Sequence, residues 1–325
     1  MNTTSNTRVM RRIHQLFHSH THGSGLFLAG LGTAFFSCKG ILIKLCYQHG
    51  ATPDMVITLR MLFAFPFYLL VALRAYAAAA HAVNARQLMI TALFGVIGYF
   101  LSSLLDLNGL VYVSASLERI ILYTYPAMVL VLSVLFLQKE FNYRMALYIA
   151  VIYLGLLMVF FYQKNSSVTS GILTFGALHF TAGFVRGSLL VAASAFTYSV
   201  YLIGTEFMMR TMPNRFYTAF AMMAASIAIF IYGGIRISAD AILHQSMAIY
   251  VLTLLIAIFC TVIPSFLVSA GIQRIGAAKA GAVGTLGPIV TILLGVTVLG
   301  ESIVPLQLPG FLLVIGGIYF LSQQK

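Results

Sequence analysis

Leu122-Tyr-Thr-Tyr-Pro126 opens an apolar run that closes at Glu140, and Gly284-Thr-Leu-Gly-Pro288 opens a second that closes at Glu301. Pro126 and Pro288 are 162 positions apart; Glu140 and Glu301, like Gly155 and Gly316, are 161 apart. Nearer the N-terminus, Gly25 pairs with Gly187 and Phe36-Ser37 with Tyr198-Ser199, again at 162 positions. One offset that holds across such widely separated points marks an internal duplication.

Composition tells what is duplicated. Of 325 residues, 60% are apolar or aromatic and 8% are Asp, Glu, Lys or Arg, whereas a soluble domain carries about 25% charged residues. Apolar runs recur from Leu26 to the C-terminus, and a helix needs about 20 residues to cross a hydrocarbon core of roughly 30 Å. The short alternating segments of a membrane β-barrel are absent. Breaks at charged and turn-rich residues give ten expected spans: 26–46, 55–76, 87–106, 113–137, 144–162, 188–208, 216–236, 247–270, 277–299 and 303–323. A polar tail (1–24) precedes the first repeat (25–162), and a partly apolar loop (163–186) leads to the second (187–323). Five spans is an odd number, so the second repeat enters the membrane from the opposite side. The expected fold is therefore an all-α polytopic membrane protein of ten transmembrane helices in two inverted-topology five-helix repeats, an arrangement associated with secondary transporters.

Charge gives the orientation. The net charge is +12, but the basic residues sit mainly in short loops, where they set topology, so nucleic-acid binding is set aside. One side collects Arg8, Arg11, Arg12, Arg74, Arg86, Lys139, Arg144, Arg210, Arg215, Arg274, Lys279 and Lys325; the other has Lys44, Lys164, Arg186 and Arg236. This asymmetry puts both termini in the cytoplasm. The partners expected are a small-molecule substrate and the lipid bilayer, with the oligomeric state open. Cys38, Cys46 and Cys260 lack metal-ligand spacing and read as buried thiols. His14, His18, His20 and His22 in the tail have two readings, metal capture or a disordered segment. No cofactor or metal is expected. The chain has no Walker-type glycine loop, so a transporter of this kind is a secondary carrier or facilitator. A membrane-embedded enzyme and a non-transporting sensor are the alternatives; the sequence lacks H-E-x-x-H and G-x-S-x-G motifs for the one and an extramembrane domain for the other.

The paired segments resemble the drug/metabolite transporter superfamily in its ten-helix EamA-type branch. Phe36-Ser-Cys-Lys39-Gly-Ile-Leu-Ile-Lys44 followed by Leu59-Arg60 is similar to that family's opening helix pair. Glu118-Arg119, Tyr125-Pro126, Phe136-Leu137 and Glu140 resemble its fourth-helix signature, and Gly276-Ala-Ala-Lys279, Leu286-Gly-Pro288 and Leu299-Gly-Glu301 the second copy. Two departures are Gln138-Lys139-Glu140, where the family more often has Gly-Glu, and the absence of Trp. The resemblance implies movement of metabolites or amino acids, often export, across a bacterial inner membrane; it does not identify the substrate.

Charges inside a span cost roughly 2.5–3.5 kcal/mol each on insertion scales, so each needs a reason. Lys39, Arg60 and Arg119 come from three spans, yet each falls about 10 Å below the outer boundary at 1.5 Å rise per residue. Their repeat mates are Tyr201, Met222 and Gly281, which confines this cationic belt to the first half. Two readings stand: a site for a substrate anion, or internal pairing with Asp106 and Glu118. Glu118 is also the candidate for a proton-coupling carboxylate. On one helical wheel Ser116, Arg119, Tyr123 and Pro126 share a face, while Ser114, Glu118 and Tyr125 share another. Tyr123, Tyr198 and Tyr201 complete the substrate-binding candidates; together with Tyr125 they are placed to stack on an aromatic substrate or simply to fill helix contacts. Pro126 and Pro288 interrupt paired spans, a pointer to a binding site or to a packing kink. Gly281, Gly284 and Gly287 read as a close-contact stripe. Glu206 is expected to pair with Arg210 at i, i+4, and Glu140 and Glu301 to cap or anchor span ends.

Overall fold

The computed structural model describes residues 23–79, 83–109, 112, 121–161, 182–287, 290 and 308–322. Among them every regular element is helical. Six helices are long and apolar enough to cross a membrane, and three more apolar helices are shorter. In chain order they are α1 (Gly23–Gln48), α2 (Pro53–Ala79), α3 (Ala85–Gly109), α4 (Tyr125–Leu137), α5 (Tyr143–Phe161), α6 (Ala182–Met208), α7 (Asn214–Arg236) and α8 (Met247–Ile275). The terminal α10 (Leu308–Ser322) is the last of these, the short α9 (Ala277–Val283) precedes it, and a five-residue helix at Ala239–Leu243 lies between α7 and α8. Residues 182–186, expected as the end of the 163–186 loop, belong to α6; the Arg186 guanidinium lies 5.2 Å from the Tyr112 ring centroid, so its long stem lets a charge sit inside a helix end. Large apolar side chains such as Leu70, Leu73, Leu135, Ile231 and Leu312 are exposed on the outside of the bundle, where lipid is the partner that apolar surface of this kind requires.

The packing follows the duplication. The most extensive interfaces join α2 to α7 and α5 to α10, which are counterparts in the two repeats. The others exchange under the same operation: α3 packs on α7 as α8 packs on α2, and α6 lies against α3 as α1 lies against α8, where Gly32 meets Val268 and Gly25 meets Ile275.

Helical breaks are paired too. α3 carries a π-helical segment at Val96–Leu101 and α8 carries one at Ile258–Val262; their first residues are 162 positions apart. The fourth span turns at Tyr123-Thr124 before α4 begins, and the ninth passes from α9 into a 3-10 turn at Gly284–Leu286. Pro126 therefore sits in the first turn of α4, where its missing N–H leaves nothing unsatisfied, rather than kinking the middle of a continuous helix. Tyr153 of α5 closes that break: its hydroxyl donates to the Thr124 carbonyl (3.0 Å) and accepts from the Ala127 N–H (3.0 Å). α4 ends on Gln138 in the left-handed region (φ 53), the one non-glycine residue with positive φ among those described.

Candidate functional site

A cavity of about 110 Å³ lies between the repeats, of the order of the roughly 150 Å³ hole that takes a benzene ring. Its lining obeys the same offset as the fold. Phe36 and Tyr198 both line it, as do Lys39 and Tyr201, Tyr99 and Thr261, Ser102 and Pro264, Ser103 and Ser265, Asp106 and Val268, and Leu122 and Gly284. Each pair is 162 positions apart. A chamber walled by seven such pairs straddles the pseudo-twofold axis that relates the repeats. It is built at the broken helices, since Gly98 and Tyr99 belong to the π segment of α3 and Thr261 to that of α8. Single-turn π segments recur at functional sites because they re-aim side chains that a regular helix would hold in register.

Glycine makes the walls close enough. A Cβ at Gly98 would overlap the Tyr201 side chain, and one at Gly284 would overlap the Tyr125 hydroxyl. The small-residue stripe expected around Pro288 is thus the surface on which Tyr125 of α4 and Tyr123 of the turn before it rest: Gly287 faces Tyr123 and Ser37 in the same way. Tyr125 donates to the Gly281 carbonyl at 2.9 Å and its ring meets Tyr198 edge-on, centroids 5.3 Å apart. Tyr198 stacks on Tyr201 at 6.3 Å. Ser102 and Ser194 lock α3 to α6 through their hydroxyls (3.0 Å), and Ser194 also donates to the Ser102 carbonyl (2.8 Å).

Of the residues singled out in the sequence, Lys39, Tyr123, Tyr198 and Tyr201 line the cavity. Arg60 does not. It is 3% exposed and lies 5.6 Å from the Tyr99 ring centroid, behind the wall that Tyr99 forms, with Nε and Nη2 lacking hydrogen-bond partners. Its depth along the span could be counted from the sequence; its direction around the helix axis could not. Arg119, Glu118, Ser114, Ser116, Pro288, Glu301 and the histidine-bearing tail lie outside the described residues. Tyr123 and Tyr125, assigned to different faces of one helix, line the same cavity, because the turn at Tyr123-Thr124 ends the wheel on which that assignment relied. Tyr125, grouped with these tyrosines from the sequence, lines the cavity as well; Tyr99 and Asp106 were not singled out as binding residues, although applying the repeat offset to polar positions such as Ser103 and Ser265 would have led to their neighbourhood.

Lys39 opens the second half of α1, directly after a break at Cys38, and its ammonium sits 4.6 Å from the Phe36 ring centroid. Asp106 is the second charged residue on the cavity lining. At the opposite end the lining is hydroxyl-bearing and closed beneath by polar contacts. Thr205 and Tyr217 share a hydrogen bond (3.1 Å), and Ser269 accepts from Thr218 (2.8 Å) while donating to Asn214 (2.8 Å).

Below that layer a clamp ties three helix ends. Glu206 of α6 pairs with Lys139, which follows α4, and accepts the Ala277 N–H at the start of α9 at 2.6 Å. The expected Glu206–Arg210 pair is therefore replaced: α6 ends at Met208, so Arg210 lies past the helix and off its i, i+4 face. Gly276 turns the chain there at φ 80, and a side chain on it would crowd Lys139 Nζ (3.1 Å) and Glu206 Oε2 (3.3 Å). Glu140 is exposed at the same end.

Comparison with known proteins agrees with this architecture. The chain matches the EamA-like transporter family twice, over residues 23–161 and 185–323. It is 32% identical over 302 residues to the uncharacterized transporter YcbK of Bacillus subtilis (strain 168), covering 91% of each chain. A protein crystal structure superposes with a TM-score of 0.69 over 93% of this chain and 96% of the other, at 15% identity, which reports on the fold alone.

Proposed function

Because the chain belongs to the EamA-like transporter family and is a membrane transporter, we propose that it is a secondary carrier, not an enzyme, that moves a small metabolite of the amino-acid or organic-anion class by alternating access through the cavity between its repeats. The observation that carries this reading is the paired lining. A chamber on a pseudo-twofold axis, walled at repeat-related helix breaks, can be exposed to either side by exchanging the conformations of the two halves. Lys39 supplies the positive charge for a carboxylate, and Tyr123, Tyr198 and Tyr201 supply ring faces and hydroxyls for the body of the solute. Arg60 stiffens the wall from behind Tyr99 and adds its field to that of Lys39; Arg119 and the coupling carboxylate Glu118 belong to the same half. The membrane is the cytoplasmic one, with both termini on the cytoplasmic side and export as the favoured direction.

The test is counterflow in proteoliposomes holding the purified protein, against a panel of amino acids, simple carboxylates and amines. Accumulation of at least one labelled carboxylate-bearing solute against an excess of the same unlabelled solute inside is expected. Vesicles with folded protein that exchange none of the panel would refute the reading.

A further inference from the structure

We propose that Asp106 receives a positively charged group of the transported solute, so that the cavity selects a zwitterion over a simple anion. This deepens the carrier reading above and rests on it. Asp106 lies in α3, four residues after Ser102 and on the same lining. Its Oδ1 is buried and has no hydrogen-bond partner. The ion pairs among the described residues are Lys139–Glu206, Arg236–Asp54 and His244–Asp240, and Asp106 enters none of them. Of the described acids, Asp54, Glu206 and Asp240 are thus committed elsewhere, and Glu140 is exposed away from the cavity. Among the described acids, Asp106 is the carboxylate on the chamber lining.

A buried carboxylate with an unfilled acceptor is costly unless something donates to it. The cavity holds its donor when the solute is bound. The same argument disfavours a simple anion as cargo. A carboxylate drawn toward Lys39 would meet the field of Asp106 in a space of about 110 Å³, where like charges repel strongly. A solute with an ammonium beside its carboxylate satisfies both residues, with its apolar body left for the tyrosines. The polarity is fixed by the repeat: the counterparts of Lys39 and Asp106 are Tyr201 and Val268, so both charged residues come from one half.

The experiment compares three probes of matched shape in proteoliposomes containing the full chain: leucine, isocaproate, which lacks the ammonium, and isoamylamine, which lacks the carboxylate. The wild-type protein is expected to move leucine about ten- to hundredfold faster than isocaproate, the ratio that one charge-assisted hydrogen bond of about 1.5–3 kcal/mol sustains. Asp106→Asn should collapse that ratio toward one, and Asp106→Glu should restore part of it. Wild-type protein that carries isocaproate as fast as leucine would leave the carrier reading standing and overturn this one. An unchanged ratio in Asp106→Asn would overturn it as well. So would an Asp106→Asn protein that loses gradient-driven uptake of leucine yet keeps leucine exchange, because that result makes Asp106 the site of a coupling cation. If folded protein moves none of the three probes and none of the wider panel, the carrier reading itself falls. Melting profiles separate these outcomes from misfolding, and should Asp106→Asn fail to fold, the wild-type probe ratio still decides.

Discussion

Replacing Glu206 by Ala should loosen the end of the bundle beneath the cavity. The carboxylate makes two interactions there: the 2.6 Å bond from the Ala277 N–H and the ion pair with Lys139. Its side chain is 14% exposed and that of Lys139 39%. The first is a charge-assisted hydrogen bond in a largely dry setting, which contributes about 1.5–3 kcal/mol. The second is screened through the exposed lysine and contributes at most about 1 kcal/mol. Together they stabilise the clamped conformation by about 2–4 kcal/mol, enough to shift an equilibrium between clamped and opened ends by about thirtyfold or more. The assay places a cysteine at Ile272, which lines the cavity just above this end and is 1% exposed, in a background where Cys38, Cys46 and Cys260 are alanine. Maleimide labelling of that thiol should accelerate at least about tenfold in Glu206→Ala, while Glu206→Gln, which keeps an acceptor for Ala277, should lie between. Labelling and melting both unchanged by Glu206→Ala would show that the clamp holds nothing shut.

Three further outcomes follow from the same geometry, and a fourth from charge. Gly98→Val should destabilise the protein by at least about 1–3 kcal/mol in thermal melting and abolish flux, since its side chain would occupy the space of Tyr201; Gly234→Ala, with open space around it, should be neutral or stabilising. Lys39→Gln should lower flux of a carboxylate-bearing solute about tenfold or more with an unchanged melting profile, as the loss of one charged hydrogen bond requires; normal flux would remove Lys39 from the site. Gln138→Gly should raise stability by about 1 kcal/mol, because it relieves a side chain held at φ 53, and a lower melting temperature would contradict the assignment of that strain. Reporter fusions at Lys325 and within 163–186 should report opposite sides of the membrane; finding them on one side would break the five-plus-five topology.

The fold was legible because a membrane imposes its constraints on composition. Span length, charge placement and the offset between Pro126 and Pro288 all follow from a chain that must satisfy its backbone inside lipid and does so twice. The helical breaks were legible only in part. A proline announces an interruption, but the π segments at Val96–Leu101 and Ile258–Val262 arise from one residue too many in a turn, which no residue type signals. Site residues divided along the same line. Position along a helix can be counted, so Lys39 and Arg60 were placed at one depth. Rotation about the axis depends on where a helix breaks, and so only one of the two reaches the cavity. Glu206 was misassigned to Arg210 because local spacing was read across the end of α6, where the partner that matters comes from 67 positions away in the sequence, at Lys139.

The two repeats share a backbone but divide the chemistry between them. Breaks, interfaces and lining positions recur at one offset, which is what a carrier needs if its two access states are to have similar energies: each half can adopt the conformation of the other without a new kind of packing. On the chamber lining, charge does not recur. Lys39 faces Tyr201 across the exchange, Asp106 faces Val268, and Arg60 corresponds to Met222, which is wholly buried. Had the charges been duplicated with the backbone, the chamber would hold two cations and two anions, and a single small solute could satisfy only one set, leaving the other buried at a cost of several kcal/mol per ion. Under the proposed carrier mechanism, keeping the charged groups on the first repeat and hydroxyls or apolar side chains on the second would give the solute one orientation, held by one set of helices, while the exchange of backbone conformations would change only which side of the membrane it meets.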